Sequence, residues 1–151
     1  MSIYRVEKKE QAVVLFQADG SIMKGVVFLS ASAYSHMGEQ SLLDLLKEKE
    51  PFFPFRSENG DFSIANRHTI THIRYDAPLP GEDYCPLGSP EDVQITFVGG
   101  EQLRGTIIID LPDGRQRLID YFNAADGYFE MQTEESHYLV NAAQVRDVCP
   151  A

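Results

Sequence analysis

Residues 62–73 read FSIANRHTITHI, and residues 137–148, displaced by 75 positions, read HYLVNAAQVRDV. The second stretch sets Leu139, Asn141, Val145 and Val148 where the first has Ile64, Asn66, Ile70 and Ile73. It replaces His68 with Ala143 and His72 with Asp147. Taken alone, His68-Thr-Ile-Thr-His72 suggests a metal box. Two histidines at i and i+4 converge only on a helix, however, and Thr69, Ile70 and Thr71 form a β-branched run that favours strand. No Glu follows His68 in the metalloprotease manner, and His36 and His137 are distant in sequence. The stretch is therefore read as two short strands meeting at an Asn, with the imidazoles as surface side chains and no metal site.

Two further blocks repeat outward from this one, so the chain is an internal duplication. QAVVLFQADGSIMKGVVFL (11–29) aligns with EDVQITFVGGEQLRGTIII (91–109), pairing Gly20 with Gly100, Lys24 with Arg104 and Gly25 with Gly105. SLLDLLKEKEPFFPF (41–55) aligns with RLIDYFNAADGYFEM (117–131), pairing Asp44 with Asp120 and Phe53 with Phe129.

Each unit is expected to run β-β-α-β-β-β. Val13 and Leu15, then Ile22, Val26 and Phe28, alternate around Asp19-Gly20, a dipeptide suited to a tight hairpin turn. Ser41 with Asp44 three residues on is a capping box before Leu42, Leu43, Leu45 and Leu46, and Pro51 blocks continuation. In the second unit Asp113 is the expected cap, Leu118, Ile119 and Phe122 the apolar stripe, and Gly127 the stop. An aromatic strand follows in each unit, then a turn at Asn59-Gly60 or Glu135-Ser136. The Asn closing the last turn is expected in the left-handed region, bonding its own backbone. Gly25 and Gly105 are expected where a strand bends or two backbones meet closely. The predicted organisation is a first barrel at 1–75, a linker at 76–90 with four of the eight prolines, and a second barrel at 91–151.

A chain of 151 residues, 43% hydrophobic and 24% charged, is globular in composition. It has no apolar run long enough for a membrane span and no visible secretory signal, so a cytoplasmic location and no membrane partner are expected. Cys85 and Cys149 are too few and too far apart for a disulfide framework or zinc site, and both are read as free thiols. The net charge is −10. Residues 1–75 carry 9 basic and 9 acidic side chains and residues 76–151 carry 4 and 14, so the excess lies in the second half. Such a surface is poorly suited to phosphate backbones.

The pattern of strand, Gly turn, strand with a Lys-Gly or Arg-Gly step, and closing apolar-Asn-x-x-x-Ile-x-x-Ile resembles the small barrels of the Sm-like and SH3-like type. ANRHTITHIRYDAP (65–78) looks like the closing segment of bacterial Sm-like RNA chaperones, in which a Lys-His pair precedes the last strand. The chain is thus similar to a tandem bacterial member: mainly β with two short helices, in two small barrels. Arg67 and His68 stand at the family's Lys-His position, whereas the second unit has Ala142 and Ala143 there. The helix also differs, falling between the second and third strands rather than before the first.

The sequence holds no G-x-S-x-G elbow, Walker loop, G-x-G-x-x-G or C-x-x-C, so no enzyme activity and no cofactor are expected. The leading expectation is a non-catalytic module that binds a protein, with self-association a natural way to cover its many large aromatic side chains. The alternative is a nucleic-acid binder using Arg56, Arg67, His68 and Arg74 of the neutral first half.

Overall fold

The computed structural model describes residues 8–31, 38–77, 88–112 and 117–151. Cys85, His36, Asp113 and most of the Pro-rich segment 76–90 lie outside them. The first half contains β1 (Lys8–Gln17), β2 (Ile22–Ser30), α1 (Leu42–Leu46), β3 (Phe52–Ser57), β4 (Phe62–Asn66) and β5 (Ile70–Tyr75). The second contains β6 (Ser89–Phe97), β7 (Gln102–Ile109), α2 (Leu118–Ala124), β8 (Tyr128–Gln132), β9 (His137–Asn141), a 3₁₀ turn (Ala142–Gln144) and β10 (Val145–Pro150). The molecule is mainly β, as expected.

The strands form one open antiparallel sheet in the order β10-β6-β7-β8-β9-β5-β1-β2-β3-β4, and not two separately closed barrels. Within each half the strands follow the same order, fifth-first-second-third-fourth. The two short strands that meet in sequence at Asn66 or Asn141 therefore part to opposite ends of their half. What joins the halves is β5 against β9, with His72 opposite Val140, Ile73 opposite Leu139 and Arg74 opposite Tyr138. Closure of each unit on itself would also remove sheet edges, but here the fourth strand of the second half covers the fifth strand of the first.

Local chemistry sets the turns and caps. Gly20, Gly60 and Gly100 sit at positive φ in the β1–β2, β3–β4 and β6–β7 hairpin turns, and Asp19 Oδ1 accepts from the Ser21 N–H at 2.9 Å. Ser41 and Asp44 make the reciprocal capping box of α1. At α2 the N-cap is Arg117, whose side chain pairs with Asp120 at 3.0 Å. Asn66 and Asn141 do cap the following turns, accepting from the N–H groups of His68 and Ala143. They do so without the left-handed backbone expected of them: Asn141 has φ −80°, and among the described residues every positive φ belongs to a glycine.

The buried apolar side chains form two clusters. The first gathers Val13, Leu15, Val27, Leu29, Phe53, Phe55, Ile70 and Ile73 with Leu42, Leu45 and Leu46 of α1, and it also takes Tyr128 and Leu139 from the second half. The second gathers Val93, Ile95, Phe97, Ile107, Ile109, Phe129, Met131 and Val140. On β2 the buried face is thus Val27 and Leu29, while Val26 and Phe28 lie on the half-buried face and Ile22 is exposed, a reversal of the expected alternation. Gly25 crosses β3 so closely that a Cβ would run into the Arg56 carbonyl, and at Gly105 it would lie 2.8 Å from the Gln132 carbonyl oxygen. The close approach expected at both glycines is present.

Candidate functional site

Where the halves meet, the polypeptide builds a joint first and a cleft beside it. His72 projects from β5 into the joint, its ring stacked on Phe16 at 4.2 Å and on Phe97 of β6 at 4.8 Å, both nearly parallel. It is buried, not a surface histidine as its sequence context suggested. Its Nδ1 lies 2.8 Å from Thr71 Oγ1, and Thr71 in turn donates to the Phe16 carbonyl at 3.0 Å. One hydroxyl hydrogen satisfies both bonds only if the imidazole donates to Thr71, which puts a proton on Nδ1. Burial, with the Arg74 charge adding to it, brings the His72 pKa down to about 4.

The joint is pinned by three side chains of the second half that hold backbone carbonyls of the loop after β4 and the first residue of β5. Tyr128 Oη donates to the Arg67 carbonyl at 2.6 Å, Asn141 Nδ2 to that of Ile70 at 2.9 Å, and Gln144 Nε2 to that of His68 at 2.9 Å. Burial pushes the Tyr128 hydroxyl pKa well above its ordinary value, keeping it a donor. The recurring Asn pattern signals this loop in the sequence. Nothing there marks Tyr128 or Gln144 as its partners, because they are brought to it only by the pairing of β5 with β9.

The four residues expected to contact a ligand take different roles. Arg67 is buried, and its guanidinium donates to the carbonyls of Leu45 and Glu50, at the C-terminal end of α1 and just beyond it, and lies over the Phe53 ring at 5.6 Å. It ties the helix to the loop and does not present its charge to solvent. Arg56 is half-buried and pairs with Glu10 at 2.5 Å. Arg74 is half-buried over Phe16, whereas His68 is exposed. The structure leaves His68 as the one member of the set with a freely accessible side chain.

Beside the joint lies an open cavity of about 470 Å³ whose wall takes residues from both halves. Leu43 of α1 and Tyr75 at the end of β5 face Thr106, Tyr121, Glu130, Gln132 and His137 across it. The Tyr75 and His137 rings sit 5.8 Å apart. Burial first, and the neighbouring Glu130 carboxylate second, raise the hydroxyl pKa of Tyr75 and of Tyr121 to about 12. Glu130 is itself exposed, and among the described residues the cavity wall contains no Lys or Arg. Thr106 Oγ1 donates to Asp92 at 2.6 Å and not to His137, so hydroxyl and imidazole are not arranged as nucleophile and base. The wall is an aromatic cup with a carboxylate at its rim. Sequence reading placed none of its polar residues together, since they come from both halves and converge only through the inter-half pairing.

Among the described residues no group of three metal-ligating side chains occurs, and no helix is long and apolar enough to cross a membrane. Comparison of the chain with protein-family models, with curated proteins and with solved structures finds no match.

Proposed function

We propose that the protein is a non-catalytic interaction module of the cytoplasm, in which the cleft between the halves takes a basic side chain from a protein partner. The observation that carries this reading is the cup itself: a carboxylate and three aromatic rings with no Lys or Arg in the wall among the described residues. An ammonium or guanidinium entering there comes beside the rings of Tyr75, Tyr121 and His137 and the Glu130 charge, and an exposed cation–π contact with a Tyr ring is worth about 0.5–1 kcal/mol. The acidic second half adds long-range attraction for a basic segment.

In this reading each half, 1–75 and 91–151, is a small barrel of the Sm-like or SH3-like type, opened so that its fourth strand serves the neighbouring unit. The shared strand order and the helix at the same point of each half support it. Nucleic-acid binding draws less support, because Arg67 is buried and Arg56 is engaged with Glu10.

The test is an NMR titration at low salt with the tripeptides Gly-Arg-Gly and Gly-Lys-Gly, with Gly-Glu-Gly as control. Shifts at Tyr75, Tyr121 and His137 with the basic peptides alone, lost in Glu130→Gln, are expected. No response at these residues overturns the reading. Salt-dependent shifts at Arg56, His68 and Arg74 on adding single-stranded RNA instead support the nucleic-acid alternative.

A further inference from the structure

The sheet ends on two strands, β4 and β10, that occupy in their halves the places of β9 and β5 in the other half. β9 and β5 are paired with each other; among the described residues β4 and β10 each have one neighbouring strand. The side chains record the difference. Leu139 on β9 is 1% exposed inside the first cluster, whereas Ile64, its counterpart by the 75-residue alignment, is 68% exposed. Tyr128 is buried at the same joint, and Phe52, at its place in the first half, is 53% exposed. Phe62 on the same strand is also exposed, so β4 and the start of β3 carry an apolar face that none of the described residues covers.

The complementary deficit lies at the other end. Ile70 and Ile73 of β5 are completely buried, while Val145 and Val148 of β10 are only half-buried. The helix α1, which packs against β8, buries Leu42, Leu45 and Leu46; α2 buries none of its residues, and its Leu118, Tyr121 and Phe122 are half-covered. The second cluster thus lacks the lid that Tyr128 and Leu139 give the first.

From this double deficit we infer that chains assemble head to tail, β4 of one pairing with β10 of the next and repeating between molecules the joint that β9 makes with β5 within one. Carrying the register over sets Val148 opposite Ile64 and Cys149 opposite Ser63, and Asn66 then reaches the Val145 carbonyl as Asn141 reaches that of Ile70. Phe52 and Ile64 cover α2 and the second cluster. Pro150 falls opposite Phe62. Ala151 donates its N–H to Asp92 of β6, so strand alternation turns the Pro150 nitrogen outward, and the joint has one bond fewer at that end. Because the contact joins two different surfaces, it propagates from chain to chain and gives a closed ring or a filament.

Cys149 is exposed and offers a direct probe. Residues opposite each other on antiparallel strands have Cα atoms about 4.5–5.5 Å apart, within the disulfide range of about 4.4–6.8 Å. In a Cys85→Ser background, Ser63→Cys is expected to give a ladder of disulfide-linked multimers on mild oxidation, and adding Cys149→Ser is expected to abolish it. Light scattering of the unmodified chain is expected to give multiples of 17.0 kDa, falling to 17.0 kDa in Ile64→Lys with an unchanged circular dichroism spectrum. A 17.0 kDa species at all concentrations, or an assembly untouched by Ile64→Lys, overturns the inference. So does cross-linking of Ser63→Cys that survives Cys149→Ser, which marks a β4-to-β4 contact.

Discussion

His72 shows how little a residue type says before its neighbours are known. Its spacing from His68 reads as a ligand pair or as surface imidazoles, yet the ring is a flat aromatic filler between Phe16 and Phe97. The signal was absent from the sequence because Phe97 belongs to the other half and meets His72 only once β5 and β9 pair. A pH dependence follows. The folded chain protonates His72 near pH 4 and the unfolded chain near 6.5, so between those values the unfolded state holds more protons and stability falls as pH falls. The loss over this window is on the order of 3 kcal/mol, and denaturant unfolding of His72→Phe is expected to show it diminished. Arg67 carries the second lesson of this scale. A basic residue beside an exposed histidine looks like a contact for phosphate, but its guanidinium satisfies carbonyls at the end of α1. Arg67→Ala is expected to destabilise by about 2–4 kcal/mol by freeing those carbonyls and emptying the space over Phe53, whereas exposed His68→Ala is expected to change stability by less than about 0.5 kcal/mol. Thermal or urea unfolding checks both.

Among the elements, those written in local chemistry were legible. The Asp19-Gly20 and Asn59-Gly60 turns, the Ser41 capping box and the close strand crossings at Gly25 and Gly105 need only the residues at the spot. Which face of an element is buried was harder to read. Val26, Val27, Phe28 and Leu29 are all apolar, so alternation gives no choice between faces, and the register of β2 against β1 and β3 decides for Val27 and Leu29. On α2 the side facing the core is Leu118, Tyr121, Phe122 and Ala125, with Ile119 exposed, because the helix is short and its stripe is broad enough to be rotated. Two substitutions test this scale. Ser41→Ala is expected to cost about 1 kcal/mol through the lost cap. Gly25→Val is expected to cost at least about 1–3 kcal/mol, since the branched side chain meets the Arg56 backbone, and Val26→Thr on the half-buried face is expected to cost less.

At the scale of the whole molecule, three sequence blocks in one order anticipate the strand order that the two halves share, but the way the halves join was not legible. Hydrophobic pattern specifies that strands exist and which are amphipathic; it does not say whether the last strand of a half pairs with the fourth strand of its own half or with that of the other, since both choices remove the same edge. The structure takes the second choice within the chain. Burial of Leu139 in the first cluster, worth about 1.5–3 kcal/mol for a side chain of this size, and the bonds from Tyr128, Asn141 and Gln144 support that choice. The cavity and its cup of aromatic rings exist only because of it. The most direct test of the inter-half sheet is native-state hydrogen exchange, carried out on Ile64→Lys so that the end strand β4 stays uncovered. Amides of β5 and β9 that face each other are expected to exchange as slowly as those joining the interior strands β1 to β2 and β6 to β7, and orders of magnitude more slowly than the outward amides of β4. Rapid exchange along both β5 and β9, as from two free edges, would contradict the joint on which the whole account rests.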